Sequence, residues 1–399
     1  MKRSSQADHA DPSRLPPPVL CYDRRRFLLV VGGAAAYAAL RPGQAWARKL
    51  ARRRPALQPW ALPSNAPPDP VDLARALMGA AILAPSHWNS QPWRMEANGS
   101  SIRLLADTQR SLPVIDPERT AMTISLGAAL ENMLVTMRAY GLRPTVNFFP
   151  EGEKGLAVAH VRWAGGEPQR DRDLFAAIPE RRTNRRNYDG RGIFMQNRAT
   201  LTALIPEDLR IHWIDDRDQI DRIADLVHDA TRDQVLDRRA QAERFAWMRM
   251  GDDEARESGD GITVDGLELG GPARWLAGRY FNPRSRFLGL GAGSAAKQAR
   301  EAVESSGALA LITTARTGES LALVAGQAYE RFALRATRLG IAQQPMHAPL
   351  EVVSYRLDLM RQFGAMGERP LLFVRLGHAR RPGHSVRRGV ALVASFRNS

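Results

Sequence analysis

Two kinds of side chain stand out here for the chemistry that their spacing allows. In APSHWNSQPW, Ala84–Trp93, the neutral amides of Asn89 and Gln91 lie among prolines and tryptophans. Pro85 and Pro92 restrict their own φ and push the residues before them out of helix, so the loop is expected to present the amides in nearly fixed directions. An amide donates and accepts without charge, which suits the edge of a flat heterocycle where carbonyl and N–H groups alternate. The same composition is equally that of an ordinary Pro-rich turn. The second kind is arginine, grouped with a hydroxyl in RRTNRRNY, Arg181–Tyr188, and paired again at Arg387-Arg388. A guanidinium fork pairs two oxygens at once and suits a phosphate, although in so basic a chain a lone basic pair is more often solvent-facing charge.

Taken together, these segments resemble the nitroreductase-like FMN flavoproteins. APSHWNSQPW resembles the family's amide loop. RRTNRRNY is similar to its phosphate-binding opening, an Arg, a hydroxyl residue two on and a basic residue two further. RLGHARRPGHSVRRGV, Arg375–Val390, is similar to its closing segment. The resemblance runs from about Pro70 to Val393, with residues 240–305 unmatched. It implies that FMN is bound, with Arg181, Thr183, Arg185, Arg387 and Arg388 around the phosphate, Asn89 and Gln91 at the isoalloxazine and Ser86 near the ribityl chain. Pro85, Trp88 or Trp93 would shape an apolar wall, and Gln343, Gln344 and His347 fall where such folds approach the ring. In an ordinary member the basic segment comes first; here the amide loop precedes it. In this the chain is similar to the divergent Acg-like branch, in which two halves are fused and share one FMN. The fold implied is α+β and nitroreductase-like, two fused halves forming an internal pseudo-dimer, each with a helix-flanked and mainly antiparallel sheet; a fused chain has less need of a partner subunit, so a monomer is expected.

The elements that must position these residues carry their own sign of duplication. Gly127, Ala129, Glu131 and Gly141 recur at the same offsets as Gly326, Ala328, Glu330 and Gly340. Both segments have helical period and end in Gly, the usual left-handed stop. Extended runs are expected after each, at 145–150 and 156–163 in the first and at 350–355 and 371–376 in the second. Two amphipathic helices could also match at four positions by chance. Asp69 and Pro70 form a plausible cap for a helix with Ala74, Leu77, Met78, Ala81 and Ile82 on one face, leading into the amide loop. A strand is expected over 101–109 and long helices over 217–250. The glycines at 289–293 lack the setting of a dinucleotide fingerprint and read as a mobile loop.

The N-terminus reads as an export signal. Asp23-Arg24-Arg25-Arg26-Phe27-Leu28 follows the twin-arginine pattern, and an apolar run of 14 residues leads to Ala45-Trp46-Ala47, a small-x-small cleavage site. That run is short of the roughly 20 residues a membrane span needs, so removal is expected rather than anchoring. The domains expected are therefore a twin-arginine signal at 1–47, a Pro-rich lead-in at 48–68, an N-terminal half at 69–170 and a C-terminal half at 171–399. Within the latter, about 251–294 is expected to form a lid or, equally, a packed surface insertion.

With 44% hydrophobic and 25% charged residues, the 399-residue chain has an ordinary globular composition. Cys21, its one cysteine, lies before the expected cleavage site, which excludes thiol and disulfide chemistry from the mature chain. The histidines are scattered without metal-binding spacing, so no metal is expected. The net charge of +15 is interspersed with acids along helices, and no nucleic-acid partner is expected. The expected function is an FMN oxidoreductase that passes hydride or electrons through flavin N5 between a small-molecule donor and a quinone or nitroaromatic-type acceptor. It would be exported by the twin-arginine machinery to an extracytoplasmic site. The alternative is a catalytically silent FMN-binding or FMN-sequestering protein with a lid over the flavin. His87 and His347 are acid–base candidates by position only.

Overall fold

A computed structural model describes residues 59–263, 265–267, 288–318 and 320–397. The expected signal at 1–47, most of the lead-in and residues 264 and 268–287 of the expected lid lie outside the described residues. Helix α1, Pro70–Ala81, starts as its sequence dictates: Asp69 Oδ1 accepts from the Asp72 N–H at 2.9 Å, and Pro70 takes the first turn. Its Ala74, Leu77, Met78 and Ala81 are buried against the first sheet. Strands β1, Trp93–Asn98, and β2, Ser101–Ala106, form a hairpin through Gly99, which takes φ +53°. Helix α2, Thr120–Ala139, and strands β3, Arg143–Phe148, and β4, Ala157–Ala164, complete the local part of this half, followed by helix α3, Arg172–Ala177.

The second half adds helix α4, Met195–Thr202, strand β5, Arg210–Ile214, and two helices within the span where long helices were expected. Asp237 separates α5, Arg217–Leu236, from α6, Arg238–Ala246, because its carboxylate accepts from the Arg239 and Ala240 N–H groups and so starts a new helix. The short strands β6, Met248–Arg249, and β7, Ile262–Thr263, flank helix α7, Asp252–Ser258. The expected glycine loop is instead part of helix α8, Leu288–Glu304. Ala292, Ala295 and Ala299 recur at helical spacing and pack with Val303 along α5, and that burial outweighs the poor helix propensity of glycine. Strand β8, Ala308–Thr314, helix α9, Ser320–Arg338, strand β9, Ala342–Pro345, helices α10, Ala348–Glu351, and α11, Val353–Gln362, strand β10, Arg369–Gly377, helix α12, Val390–Val393, and strand β11, Ala394–Arg397, follow.

Residues 350–355 were expected as an extended strand and are helical on both sides of Val352. The strand position beside β10 is already taken by β9, and Pro349 opens a helix in its place. Helix, strand, strand still occurs twice, because β9 pairs with β10 as β3 pairs with β4, antiparallel in both. The first sheet has the order β11-β1-β2-β4-β3 and the second β5-β8-β10-β9. Strand β11 lies parallel to β1, so a late segment of the chain closes the first sheet, an exchange across the expected boundary at 170.

Helices α2 and α9 pack between the sheets, and α2 is buried around nearly its whole circumference rather than on one face. Their glycines let the backbones touch. A Cβ at Gly127 would stand 2.1 Å from the Leu323 carbonyl oxygen, and one at Gly326 would stand 2.1 Å from that of Ile124. Partners are exchanged at a constant sequence offset, which is the pattern of an isologous contact inside one chain. Beside it, Glu131 accepts from Arg138 at 2.7 Å and Arg331 at 2.8 Å, and Asp171 accepts from the same two guanidiniums. Those two cations hold the Asp171 carboxyl below its ordinary value against the upward push of burial.

Candidate functional site

The amide loop leaves α1 through Leu83 and Ala84 and turns in a single 3-10 turn at His87–Asn89. Trp88, Asn89 and Gln91 all take φ near +50°, a left-handed region that Asn tolerates and that strains Trp and Gln. Hydrogen bonds hold the strain in place. The Gln91 N–H donates to Ser86 Oγ at 2.9 Å and the His87 N–H to Ser125 Oγ at 3.1 Å. Asn89 Nδ2 donates to the Gly261 and Val386 carbonyls at 2.9 and 3.1 Å, and its Oδ1 accepts from Arg387 Nη1 at 2.8 Å. Gln91 Nε2 donates to the Gly259 carbonyl at 2.8 Å, and its Oε1 accepts from the Arg388 N–H at 2.9 Å. The two amides thus tie three remote segments together, and neither lines the cavity described below.

The distant arginines do converge, but on the end of α1. Arg181 Nη2 and Arg387 Nη2 both donate to the Leu83 carbonyl, at 3.4 and 3.3 Å, and Arg387 also donates to Ala84 O at 3.1 Å. Two cations therefore serve carbonyls left open at a helix C-terminus, where the macrodipole favours them. Arg181 Nε lies 3.3 Å from the fully buried Glu330 carboxylate. Burial pushes the Glu330 carboxyl up to about 7 even though Arg181 and Arg387 pull it down. Burial, helped by repulsion from Arg181, depresses Arg387 to about 9. Arg387 and Arg388 line a cavity of about 690 Å³ toward α1 and residues 59–67.

A cavity of about 320 Å³ lies between the halves. Ser86, Thr183 and Arg185 line it, together with Gln344 and His347. Of the eight residues expected to hold the cofactor, these first three face the cavity; Asn89, Gln91 and Arg181 are packed away from it, and Arg387 and Arg388 lie on the second cavity. Gln343 is engaged elsewhere: its Oε1 accepts from Tyr329 Oη at 2.6 Å and its Nε2 donates to Arg182 O at 3.1 Å, which ties the basic segment to β9. Trp93, offered as a wall residue, is fully buried in the first core instead.

The cavity also holds a charged cluster that its sequence did not announce. Glu351 Oε2 accepts from Arg244 Nη2 at 2.6 Å and from Gln234 Nε2 at 2.8 Å, while Glu351 Oε1 lies 3.3 Å from His87 Nε2. The His87 and His347 rings lie 4.3 Å apart. The two histidines were candidates by position; Arg244 and Glu351 were not, because one sat in a solvated-looking helix and the other in a supposed strand. Burial would raise the Glu351 carboxyl, but His87 and Arg244 hold it at about 2. Burial and then His87 push the His347 imidazole down to about 3.

Both displacements make the fold acid-sensitive. Between about pH 6.5 and about pH 3 an unfolded chain protonates His347 and the folded one does not, so stability falls as pH falls. Glu351 adds to the loss in the same direction from about pH 4.5 down to about pH 2. Urea midpoints taken down this range should decline, and His347→Gln should flatten the upper part of the slope. A wild-type midpoint that stays level to pH 4 contradicts the burial of a neutral His347.

Among the described residues, no group of three or more His, Cys, Asp or Glu is placed to hold a metal ion, and no helix is long and apolar enough to cross a membrane.

No family model matches the chain. It is similar to a Mycobacterium tuberculosis H37Rv protein named "Putative NAD(P)H nitroreductase Rv3131", 28% identical over 322 residues, covering 77% of this chain and 86% of that one. It is also similar to "Putative NAD(P)H nitroreductase acg" of the same organism, 30% identical over 152 residues, covering 35% of this chain and 46% of the relative. Among solved structures, the FMN-dependent nitroreductase NfnB of Mycobacterium smegmatis, in complex with NADPH, aligns with TM-score 0.37 and 18% identity over 57% of this chain and 98% of its own.

Proposed function

We propose that this chain is an FMN-binding, nitroreductase-like oxidoreductase of the two-half, Acg-like kind, with the cavity between the halves as its flavin site. The observation that supports this reading best is convergence: the amide loop, the basic segment and the residues after the second long helix, remote in sequence, meet on one cavity through Ser86, Thr183, Arg185, Gln344 and His347. The donor set fits a flavin in part. Ile124, Ala128 and Leu372 offer an apolar bed and Trp88 and Tyr329 aromatic faces for a flat ring. Arg185 and Thr183 offer a charged and a hydroxyl contact to a phosphate. Arg181 and Arg387, behind the loop carbonyls, would act on that phosphate through their field rather than by contact.

Bound flavin supplies hydride or electron transfer at N5 toward a quinone or nitroaromatic-type acceptor. The protein's own part is to orient the ring, exclude water and keep His347 neutral beside it. NAD(P)H, in the names of the relatives, is the donor class to test first. A second reading, FMN storage without turnover, is favoured by Gln241, Arg244, Met248 and Ile262, which close one side of the cavity as a lid would.

The test is a visible spectrum of the purified protein, followed by anaerobic mixing with NADH and NADPH. A yellow protein that bleaches within seconds supports the reductase, and one that keeps its colour supports storage. Arg185→Ala is expected to weaken FMN binding at least about tenfold. A colourless protein that takes up no added FMN overturns both readings. We further propose that residues 1–47 form a twin-arginine export signal and that the mature, extracytoplasmic chain is a monomer, which N-terminal sequencing of the exported protein and sedimentation would check.

A further inference from the structure

The second cavity, of about 690 Å³, lies apart from the proposed flavin site, and among the described residues no side chain lines both. Its volume falls within the range of about 300–1,000 Å³ usual for small-molecule sites. One wall is a face of α1 with Ala76, Gly79 and Ile82, and the α1 residues on that wall, 72–82, extend about 15 Å along the helix. The facing arm brings Pro59, Leu62, Pro63 and Pro67, and the C-terminal segment brings Val390 and Leu392. Three prolines supply no N–H, so this wall offers a peptide backbone few donors and suits an alkyl chain instead.

One end of the cavity is cationic. Arg387 and Arg388 both line it, and Arg387 fixes the place of that end by donating to the Leu83 and Ala84 carbonyls just past α1. Arg387 is 9% exposed, also donates to Asn89 Oδ1 and Val386 O, and its Nε has no partner. The Arg388 side chain reaches the Leu392 carbonyl at 3.2 Å and that of Gln91 at 3.5 Å. Among the described residues neither guanidinium is ion-paired with a carboxylate. Other charges on the wall are answered locally, Arg75 by Asp72 at 2.7 Å and Arg256 by Asp253 at 2.8 Å. That leaves two guanidiniums against the exposed carboxylate of Glu257. Burial, then repulsion from Arg181 for Arg387 and from Arg110 for Arg388, holds both below their ordinary value, so an anion placed between them is favoured.

We propose that this cavity binds a free aliphatic carboxylate, its head on Arg388 with Arg387 behind it, and its chain along the α1 face between the proline arm and Val390. The inference goes beyond the flavin reading and does not depend on it, since the two cavities have separate walls.

Isothermal titration of the purified full chain with octanoate, octan-1-ol and acetate tests it, the last two carrying the chain without the charge and the charge without the chain. Octanoate should bind at least about tenfold more tightly than either. Arg388→Gln should remove most of the advantage over octanol and leave octanol binding as it was; the bond from the Arg388 N–H to Gln91 Oε1 is a backbone one and is kept. Gly389 takes φ −64°, and a Cβ there meets nothing within 4 Å. Gly389→Leu should therefore keep the wild-type urea midpoint, fill the cavity and weaken octanoate and octanol alike. Saturating FMN should leave octanoate affinity unchanged. Equal binding of octanoate and octanol by the wild type overturns the proposal, as does full octanoate affinity in both variants. Displacement of octanoate by FMN also overturns it, by assigning Arg387 and Arg388 to the cofactor's phosphate. A colourless protein that still prefers octanoate sinks the flavin reading alone, whereas a yellow one without the preference sinks this inference alone.

Discussion

Gly326→Val should leave the protein without a cooperative thermal transition, and Gly326→Ala should already cost about 3 kcal/mol or more. The reason is geometric. At 2.1 Å from the Ile124 carbonyl oxygen a Cβ cannot be accommodated by a side-chain rotation, because the obstacle is backbone. Helices α2 and α9 would have to move apart, and two of the apolar cores lean on that pair. Gly127→Ala meets the Leu323 carbonyl in the same way and should cost a similar amount. The double variant should cost less than the sum of the two, since helices already parted by one methyl admit the second cheaply. Gly192→Ala, whose Cβ meets nothing within 4 Å, is the control and should stay within about 0.5 kcal/mol of the wild type. Urea midpoints decide the matter; a Gly326→Ala protein as stable as the control would mean that the helices do not touch as described.

Arg375→Met should cost about 4 kcal/mol and loosen the basic segment. Arg375 is fully buried and, among the described residues, is paired with no carboxylate. Its Nε donates to Gln344 Oε1 at 2.7 Å, its Nη1 to Ala302 O at 2.8 Å, and its Nη2 to the Asn184 and Arg186 carbonyls at 3.2 and 2.8 Å. Tyr188 covers the guanidinium at 3.9 Å. Methionine fills much of the space and satisfies none of those acceptors, and each buried carbonyl left alone carries its own desolvation cost. Because Asn184 and Arg186 flank Arg185, ligand affinity in the cavity should fall together with stability. Arg375→Lys keeps the charge, lacks the fork and should recover less than half of the loss. A methionine variant within about 1 kcal/mol of the wild type, with protection of residues 181–188 from proteolysis unchanged, would show that the clamp is dispensable.

Much of this architecture was readable from local signals. The Asp69-Pro70 cap, the apolar period of α1 and the repeated glycine, alanine and glutamate of α2 and α9 depend on neighbours within a turn or two, and such signals survive in any tertiary setting. The glycines at 289–293 and the β-branched run at 350–355 misled for the complementary reason. Propensity there was weak and opposed by burial along α5 or by a sheet position already filled by β9, and packing outweighs propensity where the two disagree.

The candidate site divides along the same line. Its sequence alone determined that neutral amides, guanidiniums and a stiff proline loop were available, and that helix, strand and strand would come twice. Only the folded chain decided what those groups touch: Asn89 and Gln91 spend their amides on carbonyls near Gly261 and Gly259, Arg181 and Arg387 on the end of α1, and His87 meets a glutamate from a helix that reads as a strand. An amide or a guanidinium bonds whichever buried oxygen has lost its water, and which oxygens those are is fixed by chain closure over hundreds of residues, not by spacing along the chain.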